Sequence, residues 1–147
     1  MFSSFDVSAS GMTAQRLRMD IIADNIANVE TTRTTDGLPY RRKLVVFQER
    51  RTTPFREFLK KKTGNITDAD RDGVQVAGIV EDPSPFKMIY NPGHPDANED
   101  GYVAMPNVDI VSEMVDMISA SRAYEANITV LNTSKNMAMR ALEIGRG

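Results

Sequence analysis

The chain has no cysteine. That excludes disulfides, thiolate metal sites and a cysteine nucleophile, and it leaves the fold indifferent to redox compartment. Tryptophan is absent and histidine occurs once, as His94. A zinc site or a Ser–His–Asp relay would have to be built around that single ring, and no Gly-x-Ser-x-Gly elbow is present. No stretch approaches the ~18 consecutive apolar residues that span a bilayer. The first twenty residues lack a basic segment followed by an apolar run, so no cleaved secretory signal is expected. Net charge is also scarce: the formal value of −2 gives the whole chain no attraction to nucleic acid. There is no Gly-rich loop to cradle a phosphate. At 147 residues the chain is one domain of ordinary size.

The two ends carry long amphipathic patterns, and a different material lies between them. Residues 5–29 and 108–144 read as helices of about 37 and 55 Å at ~1.5 Å per residue. In the first, Phe5, Met12, Met19 and Ile26 recur every seventh position, with Ile22 and Val29 as a second row. That stripe is narrow, nearer a coiled-coil seam than a wide globular face. Ser3 is the expected N-cap, with Asp6 in the capping-box position and a Phe2–Val7 staple. Gly11 costs the helix about 1 kcal/mol relative to alanine, as a weak spot or as a place where another helix comes close. In the second helix Asn107 is the expected N-cap and Asp109 suits the first turn. Its stripe is Ile110, Met114, Met117, Tyr124, Ile128, Leu131, Ala138 and Leu142, widened by Val111, Val115 and Ile118. Six of the nine methionines fall in these helices, where flexible side chains fill imperfect gaps.

The middle reads as strands at residues 40–47, 73–80 and 86–90, separated by proline and glycine turns. The expected fold class is therefore α+β: terminal helices packed as a coiled-coil-like pair (residues 1–32 with 107–147) and a small central β-rich domain (33–106). Charge is segregated in the centre. Residues 41–62 hold nine Lys or Arg against two Glu, and residues 65–110 hold nine Asp or Glu against two Lys or Arg. Two solvated faces account for this, and so does a head-to-tail contact between subunits. Asp68, Asp70, Asp72 and Gly73 imitate the start of an EF-hand loop, but Ile79 stands where its bidentate Glu belongs. Asn65-Ile66-Thr67 and Asn127-Ile128-Thr129 match glycosylation acceptors, a pattern common by chance. No metal, cofactor or small-molecule substrate is expected.

Asp24-Asn25-Ile26-Ala27-Asn28-Val29-Glu30-Thr31 resembles the N-terminal signature of flagellar rod and hook proteins. Glu113-Met114-Val115-Asp116-Met117-Ile118, followed by Ser121-Arg122-Ala123-Tyr124-Glu125-Ala126-Asn127, is similar to the family's other terminal motif. Two central segments, Gly78 to Phe86 and Tyr90-Asn91-Pro92-Gly93-His94-Pro95, resemble the member that builds the proximal rod. The resemblance covers essentially the whole chain. It implies a structural subunit that leaves the cytoplasm unfolded through the flagellum's own type III export apparatus, without a cleaved signal. It implies assembly in the periplasm, with copies of itself and neighbouring rod and basal-body proteins, into a hollow torque-transmitting rod. The paired terminal helices would line its inner layers. The expected assembly residues are Met12, Met19, Ile22, Asn25, Ile26, Asn28, Met114, Met117, Tyr124, Asn127, Ile128 and Leu131. A soluble helical adaptor that never polymerises is the rival reading, and a calcium-dependent enzyme is a third.

Overall fold

A computed structural model describes residues 2–50 and 73–145. The EF-hand-like aspartates, the Asn65 acceptor and most of the basic run lie outside the described residues. The fold is α+β. In chain order it comprises α1 (Phe2–Ala27), β1 (Lys43–Glu49), β2 (Val74–Glu81), β3 (Lys87–Tyr90), β4 (Tyr102–Met105) and α2 (Ile110–Ile144).

Helix α1 starts earlier than its capping signals suggest. With no proline or glycine before Gly11, the helix runs back to Phe2, so Ser3 and Asp6 lie within it rather than at its start. It ends at Ala27 in a tightened turn. The Asn28 amide donates to the Asp24 carbonyl at 3.1 Å and the Val29 amide to the Ile26 carbonyl at 3.3 Å. Helix α2 is capped by Asp109 rather than Asn107: the Ser112 amide donates to Asp109 Oδ1 at 3.0 Å. That bond, helped by the nearby Lys87 ammonium, holds the Asp109 carboxyl below the usual carboxylate range against the opposing effect of desolvation. Asn107 is engaged elsewhere, as described below.

The described strands form two two-stranded sheets, β1 with β2 and β3 with β4. In the second the pairing is antiparallel, with Lys87 opposite Met105, Met88 opposite Ala104, Ile89 opposite Val103 and Tyr90 opposite Tyr102. The fourth strand was not expected. Its short Tyr-Val-Ala-Met run is hidden in the sequence between an acidic turn and Pro106. Beyond the ends of β1 and β2, the Arg42 carbonyl accepts from the Asp82 amide at 2.8 Å and the Arg50 amide donates to the Gly73 carbonyl at 3.0 Å. These bonds mark an antiparallel ribbon.

The described residues gather into two compact units. One holds those of Met1–Arg16, Phe47–Ala77 and Arg122–Gly147; the other holds Leu17–Val46 and Gly78–Ser121. In the first, Gly73 has a positive φ of 95°, and an added Cβ would lie 2.1 Å from Ser10 Oγ and 3.2 Å from Val7 Cα. Glycine there admits both the turn and the close approach of α1. Ser10 uses the approach: its hydroxyl donates to the Val7 carbonyl and accepts from the Val74 amide. Gly11 serves in the same way, since a Cβ there would meet the Asn127 side chain at 3.1 Å. Close helix approach, rather than local weakness, is what this glycine provides. The second unit holds Ile21, Ile22, Tyr40, Val103, Val108 and Ala120 as buried apolar residues.

Candidate functional site

Within each unit α1 meets α2 through a mixture of small, polar and apolar residues. In the second unit Arg18 pairs with Asp116 at 3.1 Å and Asn25 with Glu113 at 3.0 Å, so the helices run antiparallel. On α2 the residues turned inward are Glu113, Met117, Ala120, Tyr124, Asn127, Leu131, Ser134 and Ala138, all buried or half-buried. They alternate in steps of four and three, the spacing of a coiled-coil seam. On α1 the buried positions are Ser8, Ala14, Ile21, Ile22 and Asn25. Alanine, serine and glycine leave room for close helix approach.

One end of this seam is a polar knot. Asn25 is 1% exposed and every hydrogen-bonding position of its amide is used. Its Oδ1 accepts from the Lys43 amide at 2.9 Å and from the Tyr40 hydroxyl at 3.0 Å. Its Nδ2 donates to the Lys43 carbonyl at 2.9 Å and to Glu113 Oε2 at 3.0 Å. Glu113, also 1% exposed, receives Arg42 Nε on its other oxygen at 2.5 Å. The same guanidinium reaches Asp116 at 3.3 Å and Asp82 at 3.7 Å. The backbone of Arg42 is held too, its amide by Asn107 Oδ1 at 2.8 Å and its carbonyl by Asp82. Burial acts to lower the Arg42 pKa, but the bond to Glu113 and the charges of Glu113, Asp116 and Asp82 outweigh it, and the net shift is upward. Burial, helped by Asp24, Glu113 and Glu81, raises the Tyr40 phenol. Hydrogen bonds from Ser84, ahead of the smaller effect of Arg42, lower the Asp82 carboxyl. The knot fastens the start of β1 and the end of β2 to both helices.

The opposite side of α2 has the reverse character. Val111, Met114, Val115 and Ile118 are 54–70% exposed. At ~3.6 residues per turn they fall within one sector about 100° wide, facing away from Glu113, Met117 and Ala120. In the first unit, with Gly11 beside Asn127, Phe2 lies level with about residue 136. Met137, Met139, Leu142 and Ile144 thus extend past the described start of α1, and all are more than half exposed.

The residues singled out in the sequence divide accordingly. Ile22 and Asn25 are covered within the chain; Met12, Met19, Ile26, Asn28, Met117, Tyr124, Asn127 and Leu131 are half-buried; Met114 and Ile128 are exposed. Asn28 Nδ2 donates to the Asp24 carbonyl and its Oδ1 accepts from Thr31, which shapes the exit from α1. The stripe read along α2 is really two faces. Met117, Tyr124, Leu131 and Ala138 turn inward, and Leu142 continues their spacing past the described start of α1, whereas Ile110, Met114 and Ile128 face out. Sequence reasoning read Asn107 only as a helix cap, met Glu113 and Asp116 only within a terminal motif, and placed Arg42 only in the basic run. A usable signal was Glu113, a carboxylate standing on the seam spacing of Met117, Tyr124 and Leu131. Among the described residues no group of His, Asp or Glu is arranged to hold a metal ion, and no helix is long and apolar enough to cross a membrane.

The two terminal helices coincide with matches to two family models. Residues 5–33 match the flagella basal body rod protein family, and residues 99–144 match the C-terminal family of flagellar basal body rod FlgEFG proteins. The chain is 50% identical to the flagellar basal-body rod protein FlgC of Borreliella burgdorferi, covering 100% of this chain and 99% of that one. It is 47% identical to FlgC of Bacillus subtilis and 42% identical to FlgC of Salmonella typhimurium, each over 99% of this chain and 98% of the relative. The chain belongs to the FlgC family of flagellar basal-body rod proteins, and it is a structural rod subunit.

Proposed function

We propose that this subunit carries out no catalysis and polymerises through its terminal helices, residues 1–32 with 107–147, into a hollow drive shaft. Its partners are copies of itself and neighbouring rod and basal-body proteins, with residues 33–106 as the part set outside the helical layer. The placement is periplasmic. Passage is through the flagellar export apparatus without a cleaved signal.

The observation that carries this reading is the exposed apolar face of α2. Glu113, Ala120 and Ser134 are buried on one side beside half-buried Met117, Tyr124 and Leu131, while Val111, Met114, Val115 and Ile118 face outward. A monomer seldom leaves such a contiguous apolar face in water, and burial by neighbours converts it into a core. Met114 belongs to that face, and Ile128 and Met139 continue the exposed apolar surface along the helix. Met12, Met19, Ile26, Met117, Tyr124, Asn127 and Leu131 lie at the margins of the helix pair or within it, where a neighbouring helix completes their cover. Asn25 and Ile22 act from inside, by holding the helices in register.

The test is Val115→Asp, expressed in flagellated cells lacking their own copy. The expected result is loss of motility and of assembled rods, with the purified variant retaining the wild-type melting temperature. Normal swimming by that variant would overturn the reading in favour of an adaptor that does not polymerise.

A further inference from the structure

The second unit contains a cavity that the helix faces do not use. It measures about 260 Å³ and is lined by Glu30, Ile89, Asn91, His94, Val103 and Met105. The β3–β4 register explains its floor: Ile89 stands opposite Val103, and Met105 lies two residues further along the same side of the ribbon. The segment Asn91-Pro92-Gly93-His94 builds the rim. The Asn91 amide donates to the Gly101 carbonyl at 2.9 Å, and the His94 amide donates to the Asn91 carbonyl at 3.2 Å. His94 Nδ1 accepts from the Asp96 amide at 3.1 Å, so the ring is oriented and its hydrogen sits on Nε2. Glu30 makes no hydrogen bond or ion pair among the described residues. The cavity therefore has an apolar floor, an amide, an imidazole and one unpaired carboxylate.

We propose that this cavity receives an arginine or lysine side chain from the basic run of a second copy of the chain. A long aliphatic stem suits the Ile89–Val103–Met105 floor, and a cationic head suits Glu30 and the Asn91 amide oxygen. Charge complementarity names the donor. Within the second unit Asp82 is held by Arg42, Asp96 by Arg33 and Asp109 by Lys87. Asp20, Asp24, Glu30, Asp36, Glu81, Glu99 and Asp100 have no ion pair among the described residues, and of these Glu30 alone lines the cavity. The 41–62 run holds Arg50, Arg51, Arg56, Lys60, Lys61 and Lys62 after Arg41, Arg42 and Lys43, and Arg42 is committed to the knot. The cavity carries a carboxylate without an ion pair among the described residues, and the 41–62 run carries nine cations against two carboxylates in sequence, so two copies match where one surface meets the other's segment. The contact is heterologous, of the kind that closes rings or extends filaments. It rests on the rod reading only in taking another copy as the partner.

The test titrates a synthetic peptide of residues 50–62 into the isotope-labelled full-length protein, followed by NMR. Shifts at Ile89, Asn91, His94 and Val103 are expected. In Glu30→Lys the affinity should fall at least tenfold with an unchanged circular dichroism spectrum. Equal affinity in that variant, equal binding of a scrambled peptide, or shifts confined to Glu99 and Asp100 would each overturn the proposal. Val115→Asp should bind the peptide as the wild type does, so failure of the helix-face reading and failure of this one are separable.

Discussion

The two sides of α2 obey opposite rules. Its inward side buries Glu113, Ala120 and Ser134, residues that a hydropathy reading assigns to the surface or passes over, among half-buried Met117, Tyr124 and Leu131. Its outward side shows valine, methionine and isoleucine to solvent. In a self-sufficient monomer this pattern is upside down. In a polymer it is a division of labour: close, polar and geometrically specific contacts define the subunit, while broad apolar contacts are left for assembly. Polar seams specify register better than they stabilise, so in the proposed assembly the inner side would supply precision and the outer side driving force.

Substitutions on each side break or sharpen this contrast. The largest effect on subunit stability is expected from Glu113→Ala, which leaves the Asn25 Nδ2 donor and the half-buried Arg42 guanidinium short of their partner. A loss of about 3 kcal/mol is expected in urea unfolding, near the low end for breaking a buried pair because Arg42 keeps two other carboxylates. Ala120→Leu comes next. Its site is fully covered, at 0% exposure, and overpacking there should cost about 2 kcal/mol in the same measurement. Val115→Asp, on the other side of the same helix, should change unfolding by less than about 0.5 kcal/mol while removing assembly. An Ala120 variant that melts normally, or a Val115 variant that unfolds, would erase the distinction between the sides.

The smallest effect is electrostatic. Asp82 and Asp109 have carboxyls lowered from 3.8 in the folded chain. Their stabilising contribution is present above pH 3.8 and fades as the pH falls through the lower folded values. Acid titration of Asp109→Asn should therefore show a shallower loss of stability below pH 3.8 than the wild type. Tyr40 runs the other way. Its raised phenol favours the folded state up to pH 10, and that contribution disappears as the pH rises through the folded value.

Much of the fold was legible in the sequence because helices declare themselves by period. Both terminal helices and three of the four described strands fall within a few residues of their expected positions. The failures are physical. Two apolar faces on α2 merge into one wide stripe when only hydropathy is read, so Met117 and Met114 looked equivalent. The pairing of Arg42 with Glu113 and Asp116 was not legible because these partners are 71 and 74 residues away in the chain. Asn107 looked like a cap because the sequence could not show that Asp109 would take the Ser112 amide. Asn25 was singled out only through a family motif, since no periodicity marks a buried amide that serves four partners.

Asn25 has a consequence of its own. It meets β1 at the Lys43 amide and carbonyl, as a neighbouring strand would, and ignores the side chain there. Helix α1 thus recognises a position in the chain rather than a residue type. Position 43 is free to drift among amino acids that retain an N–H, with proline alone barred by the lost donor. Related subunits can vary the chemistry they present at this point without renegotiating the joint beneath it.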